Sequence, residues 1–199
     1  MVSKLKKNYK QYLFLMPLIL FITDYYLMIN GHLQKIDHLV FVILRTLTSD
    51  IVTIFFISIT QLGSLFGILI VTAGVFLFNR KLALTCLLTA LFTQGLNQVL
   101  KVIIQRPRPE VMTFIHESNY SFPSGHAMAV TCLYGMLIYY FYHSNFKYRK
   151  LLIAISVVII TLVSLSRIYL GVHYFSDIIG GILLSISLIL FIIHWPSLF

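Results

Sequence analysis

Apolar residues run through this chain in long, nearly unbroken stretches, and polar residues gather at their ends. A membrane helix needs about 20 mostly apolar residues. Six stretches reach or approach that length. They run roughly over Gln11–Ile29, within Ile51–Phe78, and over Leu82–Ile104, Gly125–Tyr142, Leu151–Leu170 and Phe175–Trp195. None alternates with the period of two that a barrel strand requires, so all six predict helices. The second stretch is longer than one span needs. Gln61, Gly63 and Ser64 interrupt it and leave its start open. The first has the basic start and apolar middle of a signal peptide. Asp24 and two tyrosines follow it without a small-residue cleavage site, which favours a retained helix.

Composition agrees with the pattern. Of 199 residues, 59% are hydrophobic and only 11% charged. The mean hydropathy is +0.91. Soluble proteins carry about a quarter of their residues as charges. A soluble, disordered or fibrous chain is therefore excluded, and an integral membrane protein remains. The expected fold is all-α, a polytopic bundle of six transmembrane helices forming one unit over residues 1–199. Cys86 and Cys132 fall inside apolar runs and read as small buried hydrophobes. There is no CxxC or Cys/His pattern for zinc or redox chemistry.

The net charge of +9 would suggest nucleic acid in a soluble chain. Here topology sorts it. One side of the six helices holds Lys4, Lys6, Lys7, Lys10, Arg80, Lys81, Lys147, Arg149 and Lys150, with no acid among them. The other side holds Lys35, Arg45, Lys101, Arg106, Arg108 and Arg167 with all six acids. Cytoplasmic loops carry the excess of Lys and Arg. Both termini are thus expected in the cytoplasm, and segments 30–50 and 105–122 outside. The first of these segments is amphipathic, and reads either as a stretch in the outer interface or as a helical cap over the bundle.

Three polar clusters lie at the outer helix ends. Lys101, Arg106 and Arg108, interleaved with and followed by Pro107 and Pro109, make an anion site, with snorkelling to headgroups as the bland alternative. Ser121-Phe-Pro123-Ser124-Gly125-His126 opens the fourth helix. Free N–H groups at such a start bind phosphate, although a plain cap would look the same. Ser166-Arg167 precedes His173, and Asp177 follows four residues later. On one helical face, the carboxylate could hold the imidazole Nδ1–H and leave Nε2 as a nucleophile. A structural His–Asp pair is the alternative. That all three clusters share one face is the strongest argument for a single phosphate-handling site.

These residues match a signature. Lys101 with Arg108-Pro109 fits K-x6-R-P. Pro123-Ser124-Gly125-His126 fits P-S-G-H, and Ser166-Arg167, His173 and Asp177 fit S-R-x5-H-x3-D. With all three motifs in order within 101–177, the chain resembles the type 2 phosphatidic acid phosphatase superfamily, and its short bacterial members most. The resemblance implies a membrane hydrolase that removes a terminal phosphate from a lipid phosphate or pyrophosphate, at the outer face of the cell membrane. Undecaprenyl pyrophosphate and phosphatidylglycerol phosphate are the leading substrates. It implies a phosphohistidine on His173, with Asp177 fixing its tautomer and His126 as acid and then base. Lys101, Arg108, Arg167, Ser124 and the Gly125 N–H would hold phosphate. No cofactor, no metal, no nucleic acid and no obligatory protein partner are expected. Only one acid, Asp177, is expected near the phosphate, and Arg106 stands outside the signature as a possible second-phosphate or headgroup contact. A lipid-phosphate binder or transporter without hydrolysis is the rival from another class. A vanadate haloperoxidase shares such an anion site but is soluble.

Overall fold

The computed structural model describes residues 9–194. Lys4, Lys6, Lys7 and Trp195 lie outside the described residues. After a short 3-10 turn at Tyr9–Tyr12 come α1 (Leu15–Ile29), α2 (Gln34–Arg45), α3 (Asp50–Thr60) and α4 (Leu65–Phe78). They are followed by α5 (Arg80–Ile104), α6 (Gly125–His143), α7 (Arg149–Tyr169) and α8 (Phe175–His194). Among the described residues there are no strands.

Four helices are long and apolar enough to cross a membrane: Lys10–Ile29, Arg80–Ile104, Arg149–Tyr169 and Phe175–His194. A fifth crossing is added if Gln34–Arg45 and Asp50–Gly63, bent by 120°, are counted as one. The protein is thus a multi-pass membrane protein, but two of the six expected spans look different in three dimensions. The stretch Ile51–Phe78 is two helices. A 3-10 turn at Gln61–Gly63 separates α3 from α4. Ser64 then starts α4 afresh, its hydroxyl accepting from the Gly67 N–H at 3.2 Å and donating to the Gln61 carbonyl at 2.7 Å. The other is α6, 19 residues long and not among the apolar crossings. Its middle is buried by protein rather than lipid. Ala129, Val130, Cys132 and Leu133 pack against Ile68 of α4, Cys86 and Ala90 of α5, Val163 of α7 and Ile189 of α8. A helix surrounded in this way needs no uniformly apolar surface.

Segment 30–50 folds as the cap. Val40, Phe41 and Leu44 of α2 pack on Ala127, Ile168 and Ile178. Asp37 faces inward and is buried, while Leu39, Val42 and Ile43 are exposed. Both cysteines are buried and unpaired in disulfides, as their apolar surroundings suggested.

Candidate active site

The helix ends explain why three distant motifs meet. In α5 the inward stripe is Ala83, Cys86, Ala90, Thr93, Asn97 and Lys101, a spacing of three and four that keeps one face inside. The stripe turns from apolar to polar toward its end, which carries Lys101 into the bundle. Gln105 then adopts a left-handed conformation, φ 51°, and terminates the helix before Pro107. At the opening of α6, Ser124 caps the helix, its Oγ accepting from the Ala127 N–H at 3.5 Å. The Ser124 N–H is held by the Asp177 carbonyl at 3.0 Å, and the Ser121 N–H by the Arg106 carbonyl at 2.9 Å. Thus the second motif is tied by backbone to the first and the third.

The third motif depends on how α7 stops. Gly171, φ +80°, takes the left-handed position after the helix. Its N–H bonds the Ile168 carbonyl at 2.9 Å, and the Val172 N–H bonds the Arg167 carbonyl at 3.2 Å, which is a Schellman ending. That turn brings His173 beside Arg167. A Cβ on Gly171 would also stand 3.0 Å from the Met112 carbonyl oxygen. His173 and Asp177 therefore do not share one helical face, as their spacing alone suggested. His173 precedes α8, and Asp177 sits in its first turn. The Asp177 carboxylate reaches back to the Tyr174 N–H at 2.9 Å, the acid half of a capping box, and this cap aims Oδ2 at His173 Nδ1, 3.2 Å away.

His173 is buried, with Nε2 at 3.4 Å from Arg108 Nη1. A guanidinium can only donate, so Nε2 bears the lone pair and Nδ1 carries the proton toward Asp177. Burial, and then the positive charges of Arg167, Arg108 and Lys101, hold the His173 imidazole well below its ordinary pKa. That direction favours the neutral ring, whose unprotonated nitrogen faces the cavity.

That cavity, about 400 Å³, is lined by Lys101, Arg108, Gly125, His126, Arg167 and His173, together with Glu117 and the exposed apolar residues Leu65 and Leu91. Seven of the eight proposed site residues are thereby placed, six on the wall and Asp177 behind His173. Ser124 is not on the wall. Its hydroxyl is fully buried in the first turn of α6, because capping that turn consumes it. Gly125 does line the cavity. Gln94 and Asn97 close over it, the Asn97 Oδ1 standing 3.0 Å from where a Cβ would be. The break after α3 also contributes. The Thr60 hydroxyl accepts from Arg167 Nη1 at 3.1 Å, and the bare α-carbon of Gly63 leaves room for His126, whose Cδ2 would lie 3.0 Å from a Cβ there.

Two acids unforeseen in the sequence occupy the site. The expectation that Asp177 stands alone is corrected. Glu117 accepts from Arg167 Nη2 at 2.5 Å and lies 3.6 Å from Arg108 Nη2. Burial pushes its carboxyl up, but Arg167, Arg108 and His173 outweigh that and hold it below the usual carboxylate range. Asp37 is the other. Arg106 bridges it to Asp177, at 2.8 Å and 2.6 Å, and stacks on the Tyr174 ring. Arg106 is therefore engaged inside the protein, not held out toward a headgroup. Among the described residues, no three or more His, Cys, Asp or Glu are grouped so as to hold a metal ion.

A family model, the PAP2 superfamily, matches residues 82–199, which hold all eight of the proposed site residues and Glu117, but not Asp37, Leu65 or the α3 break. The chain belongs to the PAP2 superfamily. It is a membrane lipid phosphatase of the PAP2 type, a hydrolase. Over 142 residues it is 41% identical to phosphatidylglycerophosphatase B of Bacillus subtilis (strain 168), covering 67% of this chain and 69% of that protein. Over 186 residues it is 28% identical to an undecaprenyl-diphosphatase of Sulfolobus acidocaldarius, covering 88% and 87%. The crystal structure of a transmembrane PAP2-type phosphatidylglycerolphosphate phosphatase from Bacillus subtilis superposes with a TM-score of 0.79. That match has 32% identity and covers 92% of this chain and 94% of that one. The PAP2 fold thus extends well beyond the three motifs.

Proposed function

We propose that this PAP2 enzyme removes the terminal phosphate of a membrane lipid phosphate or pyrophosphate through a phosphohistidine on His173. The observation that carries the reading is the placement of His173, its Nδ1 3.2 Å from Asp177 Oδ2 and its ring on a cavity walled by three cations. In the first step Nε2 forms a bond to phosphorus and the bond from phosphorus to the lipid oxygen breaks. His126 protonates that oxygen. In the second step a water oxygen attacks phosphorus, the N–P bond breaks, and His126 takes the water proton. Asp177 stabilises the imidazolium in between. Lys101, Arg108, Arg167 and the Gly125 N–H hold the phosphoryl oxygens, which is where most of the barrier to phosphoryl transfer is lowered. Ser124 acts by capping α6 and so aiming that N–H. No step uses a metal or another cofactor.

Leu65 and Leu91 at the cavity rim face lipid, so a substrate can arrive sideways with its tail in the bilayer. The relatives' names make phosphatidylglycerol phosphate and undecaprenyl pyrophosphate the first two lipids to try. We further infer six crossings, with α3 and α4 together forming the second. Arg80 starts α5 and Arg149 starts α7, while Lys101 and Arg167 stand near their far ends. The basic loops and the site are therefore at opposite ends of the helices. Together with the positive-inside rule, this separation supports our reading that the termini are cytoplasmic and the site faces the extracytoplasmic side of the cell membrane.

Purified protein in detergent should release inorganic phosphate from these lipids, and enzyme turning over a substrate labelled on the terminal phosphorus, quenched in alkaline denaturant, should carry a label that is stable to base, lost in acid and absent from H173A. Lipid binding without phosphate release would favour the transporter reading and end this one.

A further inference from the structure

Asp37 is buried, paired with Arg106 and supplied by α2, outside the segment that matches the family. It accepts from the Ser176 N–H and hydroxyl, each at 2.8 Å, and from Arg106 Nη2 at 2.8 Å. Arg106 Nη1 in turn donates to Ser176 Oγ at 2.8 Å and to Asp177 Oδ1 at 2.6 Å. The other Asp177 oxygen faces His173 Nδ1. A continuous line thus runs from Asp37 through Arg106 and Asp177 to the ring that the proposed mechanism makes the nucleophile.

We propose that Asp37 and Arg106 are positioning residues that set the charge behind His173, so that the line carries one net negative charge when the imidazolium forms. The proposal rests on the phosphohistidine reading above. Arg106 alone would neutralise Asp177 and leave little to stabilise a cation on the ring. Asp37 draws the guanidinium between two carboxylates and restores the surplus. Arg106 Nη1 on Oδ1 and the Tyr174 N–H on Oδ2 also hold the Asp177 carboxylate from both oxygens, with Oδ2 toward Nδ1. A cap over the bundle thereby enters the chemistry without touching substrate.

The other charges around the ring stay constant in the test. They are Lys101 on α5, His126 on α6, Arg167 on α7, and Arg108 and Glu117 on the connecting segment. Asp24 of α1 and His38 of α2 stand near the far end of the line. Two single substitutions then act in opposite directions on the same titration. Asp37→Asn leaves Arg106 weighted on Asp177, making His173 easier to deprotonate. Arg106→Gln removes the cation, making it harder. The acid limb of kcat/KM against pH should move down in D37N and up in R106Q, by roughly half a unit or more each. In the double variant the surplus of one negative charge returns, and the limb should return toward wild type. A merely structural role would instead lower activity in all three, most in the double, at an unchanged limb.

Thermal unfolding in detergent verifies that each variant is folded. If D37N does not fold, the double variant compared with R106Q carries the same comparison, with the limb expected lower in the double. Limbs that coincide, or that move together, overturn the proposal. Failure of the wild-type enzyme to release phosphate, or full activity in H173A, overturns the underlying reading instead.

Discussion

Replacing Glu117 with glutamine should tighten the enzyme's hold on phosphate. In the substrate-free protein this carboxylate sits between Arg167 and Arg108, on the wall of the cavity where the phosphoryl group is expected to bind. It is ionised throughout the neutral range, since the arginines hold it below the usual carboxylate range. Phosphate must therefore displace it or tolerate its charge. Two unit charges 4 Å apart repel by about 4 kcal/mol at an effective dielectric of 20. Glu117 is 31% exposed, so it can swing toward water and be screened. Discounting for that leaves a penalty of about 1.5 kcal/mol, or roughly tenfold in affinity. The inhibition constant of inorganic phosphate, measured on purified E117Q and wild type between pH 6 and 8, should fall by about that factor. If Glu117 served only to hold the arginines in place, the substitution would loosen them and the constant would rise. An unchanged or higher constant refutes the placeholder role.

H173A should lose about 10⁴-fold or more in turnover, because its nucleophile is gone, whereas H126Q should lose about 10²–10⁴-fold, the usual worth of a proton donor. In wild type, the acid limb of kcat/KM should lie below the ordinary imidazole value of 6.5: burial and the neighbouring cations lower the His173 pKa, so the neutral form persists as pH falls and is lost only on passing that lowered value. Gly63→Ala should reduce kcat about tenfold while the phosphate inhibition constant stays within about twofold, since the new methyl would meet buried Val163 Cγ1 at 2.8 Å and push on the His126 ring without touching the cations. A methyl phosphodiester of the substrate should bind at least about tenfold more weakly than the terminal monoester in an inhibition assay. With Glu117 swung out, the three cavity cations and Arg106 exceed Asp37 and Asp177 by two charges, which a phosphate dianion cancels and a diester anion does not.

How much of this was readable beforehand depends on how local each signal is. The helices were legible because apolar length is a local property, and so were the cations. Lys101, Arg108 and Arg167 are too costly in an apolar chain to lack a purpose. The break at Gln61–Gly63 was visible as an interruption, but its use was not. That Thr60 holds Arg167 and Gly63 admits His126 follows only from contacts between residues about 100 and 60 positions apart. The His–Asp pair is legible from its spacing, but its geometry is not. A spacing of four suggests one helical face, whereas the structure uses a helix ending at Gly171 and a new cap at Asp177. Glu117 and Asp37 were the hardest to read. Each lies in a segment of ordinary mixed polarity, where an acid has no distinguishing neighbour. Their significance comes from cations that folding brings to them, Arg167 for one and Arg106 for the other. Sorting acids by side of the membrane made the outer face neutral in sum, and that sum conceals the arrangement that matters. One carboxylate, Glu117, stands on the cavity side of His173, where the proposed reaction would bring phosphate. Two, Asp177 and Asp37, stand behind the ring, joined through Arg106, where they would sustain the positive charge that the proposed reaction creates on it.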